Sequence, residues 1–438
     1  MIYPGTNSLK KGTTMYKFRT TLGVALSVAA ILSPLTLYSA TADVFGGIED
    51  TTITLQSPQL DETNTWDAQA NQRLANGWVA QWGFGSGLIF QSSWAPVSST
   101  INLTYNVKTN DGKPAPFTIV NLRINKAHSK SYSAVEVDGI RAKGEYRGDF
   151  DQANVRRRTD AFGNITFPLK HVDLESSSKE EPPSYTTKPI VEEDGDDDFH
   201  SQIMPEVHSE KKDHSVITEF QYYLPKSQVV VPATTPSITL VTPKLDQSNS
   251  VVNTVKNMKQ AYAPIGGELV VVYKVIGDDG KTAVTNKVVT LSVNGGKSTL
   301  TAKTDPFGFA AFTVKNSDTK PNAAPSSLTA AMPTVSSAFA TLTPAIEGTT
   351  PTVAEGVEFH YYRGITTSVS KSGKKFSLAV AIAGASGKSA SVAVTGAKDS
   401  KVKIKSAMQI VNVPVTAGAK TVTVKIDGKS YTSKVTVK

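Results

Sequence analysis

Four sequence blocks occur twice, in the same order, and this duplication constrains the fold more than any other feature of the chain. Ile53-Thr54-Leu55-x-x-Pro58-x-Leu60-Asp61-x-x-Asn64 returns as Ile238-Thr239-Leu240-x-x-Pro243-x-Leu245-Asp246-x-x-Asn249. Tyr105-x-Val107, followed by Asn110-Asp111-Gly112-Lys113, returns as Tyr273-x-Val275, followed by Asp278-Asp279-Gly280-Lys281. Leu122-x-Ile124-Asn125 matches Leu291-x-Val293-Asn294. Thr159-Asp160-x-Phe162-Gly163, leading to Phe167, matches Thr304-Asp305-x-Phe307-Gly308, leading to Phe312. Two copies of one folding unit follow from this order.

Each block has a physical job. Leu103, Tyr105 and Val107 alternate with period two, as do Val271, Tyr273 and Val275, which is the pattern of a strand with one buried face. Asp111-Gly112 and Asp279-Gly280 are turn dipeptides, because glycine accepts the positive φ of a tight hairpin. In the Thr-Asp-x-Phe-Gly block the glycine allows a second bend, and the Phe is expected to pack beneath it. Phe309 and Ala311 alternate with Ala310, Phe312 and Val314 to form the two faces of a further strand. Short alternating strands between such turns predict an all-β chain of antiparallel sandwiches.

A strand, an Asp-Gly-Lys turn, a Val289-x-Leu291-x-Val293 strand, then Thr304-Asp305-x-x-Gly308 and a closing strand resemble the bacterial immunoglobulin-like domains of the invasin/intimin type. The resemblance is clearest over residues 267–315 and weaker over 101–170. The chain departs from the family pattern at Pro306-Phe307 and in a helix-like stretch after Asn249. The resemblance implies tandem sandwiches forming a rod at or outside the bacterial surface.

The first copy carries insertions. One adds 17 residues between Asn64 and Tyr105 and holds or adjoins all four tryptophans, Trp66, Trp78, Trp82 and Trp94. Exposed Trp stacks on sugars or anchors an interface, so Trp78, Trp82 and Trp94 are candidate ligand-binding residues; the competing reading is that the rings fill an enlarged core. A second insertion, between Asn125 and Thr159, contains Arg147-Gly148-Asp149 and is expected to be an exposed hairpin tip and not a recognition motif. The third runs from Glu175 to Ser215, and its acidic run from Glu192 to His200 has neither EF-hand nor His-Glu-x-x-His spacing. A solvated loop is expected there, since such runs self-repel, and no metal is called for.

Residues 1–42 read as a signal peptide. Lys17 and Arg19 precede an apolar run from Leu22 to Leu32, Pro34 breaks it, and Ala40-Thr41-Ala42 forms a small-x-small cleavage site. No further apolar stretch reaches spanning length. The chain has no cysteine, so an exported form is held together by core packing without disulfides.

Catalytic signatures fail. Gly387-Lys388-Ser389 lacks the upstream glycine of a phosphate loop, since that position is Ile382. Position 84 is Phe, which removes a nucleophile elbow around Ser86, and neither His128 nor His171 has triad context. A non-enzyme without cofactor is expected.

The C-terminal part alternates again, through Phe376-x-Leu378-x-Val380-x-Ile382 to Val435-x-Val437. From His360 onward 14 Lys and Arg face only Asp399 and Asp427, so this part carries a net charge of +12, more than the +8 of the whole chain. Lys401, Lys403 and Lys405 alternate with Val402 and Ile404, lining one strand face as candidate polyanion-binding residues. Lysine is a point charge without a planar fork, and aromatics are few, which argues against sequence-specific nucleic acid. Edge lysines also guard strands against aggregation, which is the competing reading.

The expected organisation is a signal peptide (1–42), a first immunoglobulin-like domain with its insertions (43–233), a second (234–345), a linker (346–356) and a basic all-β domain (357–438). The expected function is adhesion or scaffolding at the cell surface or in secreted form. The expected partners are an anionic cell-wall polymer or polysaccharide and a surface glycan or protein. The alternative is a secreted carbohydrate-binding or carbohydrate-active protein using the Trp-rich region.

Overall fold

A computed structural model describes residues 51–60, 73–74, 77–78, 89–109, 112–126, 135–141, 152–172, 200–207, 216–223, 234–316, 320–332, 338–351, 353–372 and 375–438. The described residues all belong to one compact unit, Thr41–Lys438. Every element among them is a strand, and together they build three two-sheet sandwiches of immunoglobulin-like, predominantly antiparallel architecture.

The first sandwich is built from β1 (Thr52–Ser57), β2 (Arg73–Leu74), β3 (Gly77–Trp78), β4 (Ile89–Pro96), β5 (Thr100–Lys108) and β6 (Ile119–Lys126). It continues with β7 (Val135–Val137), β8 (Ile140–Arg141), β9 (Gln152–Arg158), β10 (Asn164–His171), β11 (His200–Val207) and β12 (Val216–Tyr223). Its sheets run β1-β5-β10-β7-β8 and β4-β12-β11-β6-β9, with β2-β3 as a separate ribbon.

The second sandwich contains β13 (Ser237–Thr242), β14 (Ser250–Asn253), β15 (Met258–Pro264), β16 (Glu268–Ile276), β17 (Val288–Val293) and β18 (Ser298–Lys303). It continues with β19 (Phe309–Lys315), β20 (Asn322–Ala323), β21 (Phe339–Ile346), β22 (Val353–Ala354) and the first part of β23 (Val357–Ser372). Its sheets run β19-β16-β13-β22 and β14-β15-β23-β21-β17-β18.

The duplication is visible in register as well as in sequence. Ile53 and Leu55 pair with Val107 and Tyr105, and a bulge follows before Ser57. Ile238 and Leu240 pair with Val275 and Tyr273, with the same bulge before Thr242. Both copies also place a parallel pair in the second sheet, β4 with β12 and β15 with β23, and the second copy adds β20 with β23. The helix-like stretch expected after Asn249 is instead the β14–β15 hairpin: the β-branched Val251 and Val252 favour a strand, and Asn253 Oδ1 accepts the amides of Val255 and Lys256 at 3.0 Å to close the turn.

The repeated Thr-Asp-x-Phe-Gly turns do not serve only their own copy. Asp160 Oδ1 accepts the amides of Phe162 and Asn164 at 2.8 Å, which shapes the first turn, while its Oδ2 accepts the amide of Val270, on β16 of the second sandwich, at 3.0 Å. Asp305 Oδ1 accepts the amides of Phe307 and Phe309 at 2.9 Å, and its Oδ2 accepts the amide of Asn102, on β5 of the first sandwich, at 3.1 Å. The expected packing of Phe162 and Phe307 beneath their own turns is therefore corrected. Phe162 joins the second core against Phe359, with ring centroids 5.8 Å apart, and Phe307 joins the first core against Phe220 at 6.0 Å. The turn points each ring outward, and the neighbouring core is the apolar surface within reach. Phe309, on the outer face of β19, also enters the first core.

This arrangement is isologous: equivalent residues of the two copies make reciprocal contacts, as in a twofold dimer, but within one chain. The two copies interlock instead of following one another as independent units, which differs from the serial arrangement implied by the family resemblance.

The third sandwich takes the second part of β23 with β24 (Lys375–Ala383), β25 (Ser389–Val394), β26 (Ser400–Lys403), β27 (Met408–Val415), β28 (Gly418–Ile426) and β29 (Lys429–Val437). Its sheets are β23-β24-β27 and β26-β25-β28-β29 around a core that includes Leu378, Val380, Ile382, Val392, Val422 and Val424. One strand is thus shared. Lys259 to Pro264 pair with Val357 to Tyr362, whereas Gly364 to Ser372 pair with Ala383 to Lys375. The segment 346–356, expected to be a linker, carries β22, which pairs in parallel with β13. The sheets change over at Gly364, whose φ is +150°.

Candidate polyanion-binding face

The β26-β25-β28-β29 sheet turns Ala390, Val392, Val394, Val422, Val424 and Ile426 into the core. Strand alternation then sends the intervening residues outward. Lys401 and Lys403 on β26 are exposed, and Lys405 is exposed just beyond it, with Ile404 buried between. Lys401 and Lys403 therefore share the outward side, and Lys405 is exposed past the end of the strand.

Pairing extends the row. Ser391 lies between Lys401 on one side and Lys425 on the other, Ser389 pairs with Lys403, and Thr421 pairs with Lys434. Lys425 and Lys434 are exposed. Strand spacing places Lys401 and Lys425 about 10 Å apart across the sheet, and Lys401 and Lys403 about 7 Å apart along it. Among the described residues, the outward positions of these four strands carry Lys, Ser, Thr and Ala but no carboxylate. Asp427, in the β28–β29 turn, is paired with Lys388. Lys420 is not part of the face: it is buried at 7% exposure and its Nζ donates to Thr416 Oγ1 at 3.0 Å.

Sequence reading missed Lys425 and Lys434. The signal was present, since Lys425 falls between the inward residues Val424 and Ile426, but joining it to Lys401 requires the strand order. A cationic row confined to β26 would be explained by edge protection alone. Lys425 sits on a central strand, where no edge needs guarding.

The other candidates are only partly placed. Trp78 pairs with Arg73 in the β2–β3 ribbon, and Trp94 pairs with Gln221 across β4 and β12; the side chains of both, and all of Trp82, lie outside the described residues. Arg147-Gly148-Asp149 and residues 192–199 also lie outside them. His171 is buried with its ring 4.1 Å from that of Tyr222. Among the described residues, no three His, Asp or Glu side chains are grouped to hold a metal ion. Likewise, no described helix is long and apolar enough to cross a membrane.

A second polar cluster lies on the outward side of the β15-β23-β21 sheet. Glu358 accepts from Lys256 Nζ at 2.7 Å, from Thr341 Oγ1 at 2.9 Å, from His360 Nε2 at 2.7 Å and from Gln260 Nε2. Burial pushes its carboxyl up, but these four donors outweigh that and hold it down at about 2. Glu358 thereby clamps three strands together.

No family model matches the chain, and no curated protein matches it. Among solved structures it is similar to FdeC, an adhesin of Escherichia coli, at 10% identity and a TM-score of 0.20, over 78% of this chain and 94% of that one. It is also similar to invasin, a bacterial integrin-binding protein, at 13% identity and a TM-score of 0.17, over 78% of this chain and 58% of that one. The fibronectin-III array of RIM-binding protein gives 10% identity and 0.20, over 78% and 93%. Likeness at these scores decides nothing about what this chain binds.

Proposed function

We propose that the chain is an exported, non-catalytic adhesion or scaffold protein of the bacterial surface, related to the immunoglobulin-like invasin/intimin type, whose third sandwich holds an anionic polymer noncovalently. The observation that carries this reading is the outward sheet face on which Lys401, Lys403, Lys425 and Lys434 stand exposed without a carboxylate among them. Several point charges on one rigid sheet attract a repeating anion, and the intervening Ser and Thr hydroxyls supply hydrogen bonds to its oxygens. Export rests on residues 1–42, as read from the sequence.

The test is co-sedimentation of the full chain with anionic cell-wall fragments. Binding is expected at low salt, with release as salt rises and the Debye length shrinks to about 8 Å at physiological ionic strength. The K401E/K403E/K425E/K434E variant is expected to stay in the supernatant. Equal sedimentation of this variant and the parent chain, or binding indifferent to salt, refutes the reading.

A further inference from the structure

The two copies carry different chemistry at one matched set of positions. In the first sandwich Leu122, Ile124, Val155, Ile203 and Val207 turn into the core, which leaves Asn121, Arg123, Asn154, Arg156, Met204 and Glu206 on the outward face of β6, β9 and β11. Register sets these six in two rows, Met204 beside Arg123 beside Asn154, and Glu206 beside Asn121 beside Arg156. The match of Leu122 with Leu291 carries the rows onto the second copy. There the first row reads Thr343, Ser292, Thr299 and the second Ala345, Thr290, Thr301. Threonine suits a pleated strand and asparagine does not, so the second copy has the ordinary outward face and Asn121 and Asn154 stand against local preference. Departures of that kind mark functional places.

The polar groups of the first copy hold one another in position. Asn121 Nδ2 donates to Asn154 Oδ1 at 3.0 Å and to Glu206 Oε2 at 3.3 Å, and Arg123 forms an ion pair with the same carboxylate. Both Asn121 hydrogens are thereby used, and the planar groups are oriented before any ligand arrives. Asn154 and Arg156 are exposed, and among the described residues neither the Asn154 amide nitrogen nor the Arg156 guanidinium has a partner. The next row along the face holds, by register, Gln202 beside Asn125 beside Gln152, three more carboxamide residues whose side chains lie outside the described residues.

We infer that this face binds carbohydrate: an uncharged glycan laid across β11, β6 and β9. A sugar hydroxyl both donates and accepts, and carboxamides beside a carboxylate and guanidinium groups offer both functions side by side. Strand geometry spaces them by about 4.8 Å across the sheet and about 7 Å along it, so one extended chain can meet several at once. Arg123 and Glu206 neutralise each other, which leaves one net charge among the six residues, unlike the lysine face of the third sandwich. Met204, half-buried beside Arg123, gives the apolar C–H side of a sugar ring a surface to rest on. This site does not depend on polyanion binding by the third sandwich.

The test is retention of the full chain on cellulose, chitin, mannan and galactan in about 1 M salt, where a Debye length of about 3 Å screens the lysine face. At least one matrix is expected to hold the chain and to release it to soluble oligosaccharide of the same sugar. N121T/R123S/N154T/E206A gives the first copy the residues that the second carries at the matched positions, and should weaken retention about tenfold or more. K401E/K403E/K425E/K434E should leave retention unchanged. Should the first of these variants fail to fold, N154T, at an exposed position, should still weaken retention about threefold. Retention by none of the four matrices, its loss in the lysine variant, or equal retention of parent and N154T chains overturns the inference.

Discussion

The rings of Phe162 and Phe359 lie 5.8 Å apart, tilted at 53°, although one belongs to a turn of the first sandwich and the other to a core strand of the second. Phe220 and Phe307 repeat the contact in the opposite sense at 6.0 Å. Each sandwich therefore completes the core of its neighbour with a residue from a surface turn.

Truncating either turn residue should weaken the opposite sandwich. F307A is expected to cost about 3–5 kcal/mol, the usual range for emptying a buried Phe site. All four tryptophans lie in the first copy, so unfolding followed by tryptophan fluorescence reports that sandwich. The midpoint in urea should fall for F307A, although residue 307 lies in the second copy. An unchanged tryptophan transition would contradict the exchange of rings.

The turn glycines should differ sharply in tolerance. Gly163 has φ +78°, and a Cβ there would meet the Val107 carbonyl oxygen at 2.5 Å. Gly112 has the same φ of +78° but open space around it. G112A should cost about 1–2 kcal/mol from the left-handed backbone alone. G163A adds a backbone clash and should cost about 3–5 kcal/mol. Chemical denaturation of the two variants checks the ordering.

Truncation should locate the boundary at Gly364. A chain ending at residue 363 keeps the pairing of Val357–Tyr362 with β15 and of Val357–His360 with β21, and its second sandwich should retain native exchange protection. A chain ending at residue 356 loses that strand and should expose the second core. Dye binding to exposed apolar surface would separate the two outcomes.

Acid should attack the cluster around Glu358. Glu358 is held down at about 2 by its four donors, whereas an unfolded Glu titrates near 4.3. Its contribution is complete above about pH 4.3 and is lost as pH falls toward 2. E358Q should flatten that acid limb of the stability profile, read as the urea midpoint between about pH 5 and about pH 2.

Local chemistry was legible in the sequence wherever it was set by neighbours in the chain. Tyr105 and Tyr273 fall in their own sandwich cores because alternation dictates a face. Gly112 and Gly280 take positive φ because the turn demands it. The destination of Phe162 was not legible, since alternation says only that a ring leaves its turn and not which core receives it. Asp160 likewise reads as a turn former, and its second oxygen reveals its partner only in space. On the basic face, Lys401 and Lys403 were legible as a pair two residues apart. Lys425 needed the order β26-β25-β28, which is long-range information. The segment 346–356 read as a linker because Pro and Gly are frequent there, yet a two-residue strand needs little sequence of its own.

The shared strand β23 has a mechanical consequence. Residues 357–362 are hydrogen-bonded into the middle of one sheet, and residues 364–372 into the edge of the next, without an intervening loop. Tension applied at the lysine face passes along this continuous backbone, and through the packing of Ala383 on Tyr262 and Tyr362, into the second sandwich, loading many hydrogen bonds in shear at once. A load on the third sandwich is thereby passed to the interlocked pair through a cable with no slack.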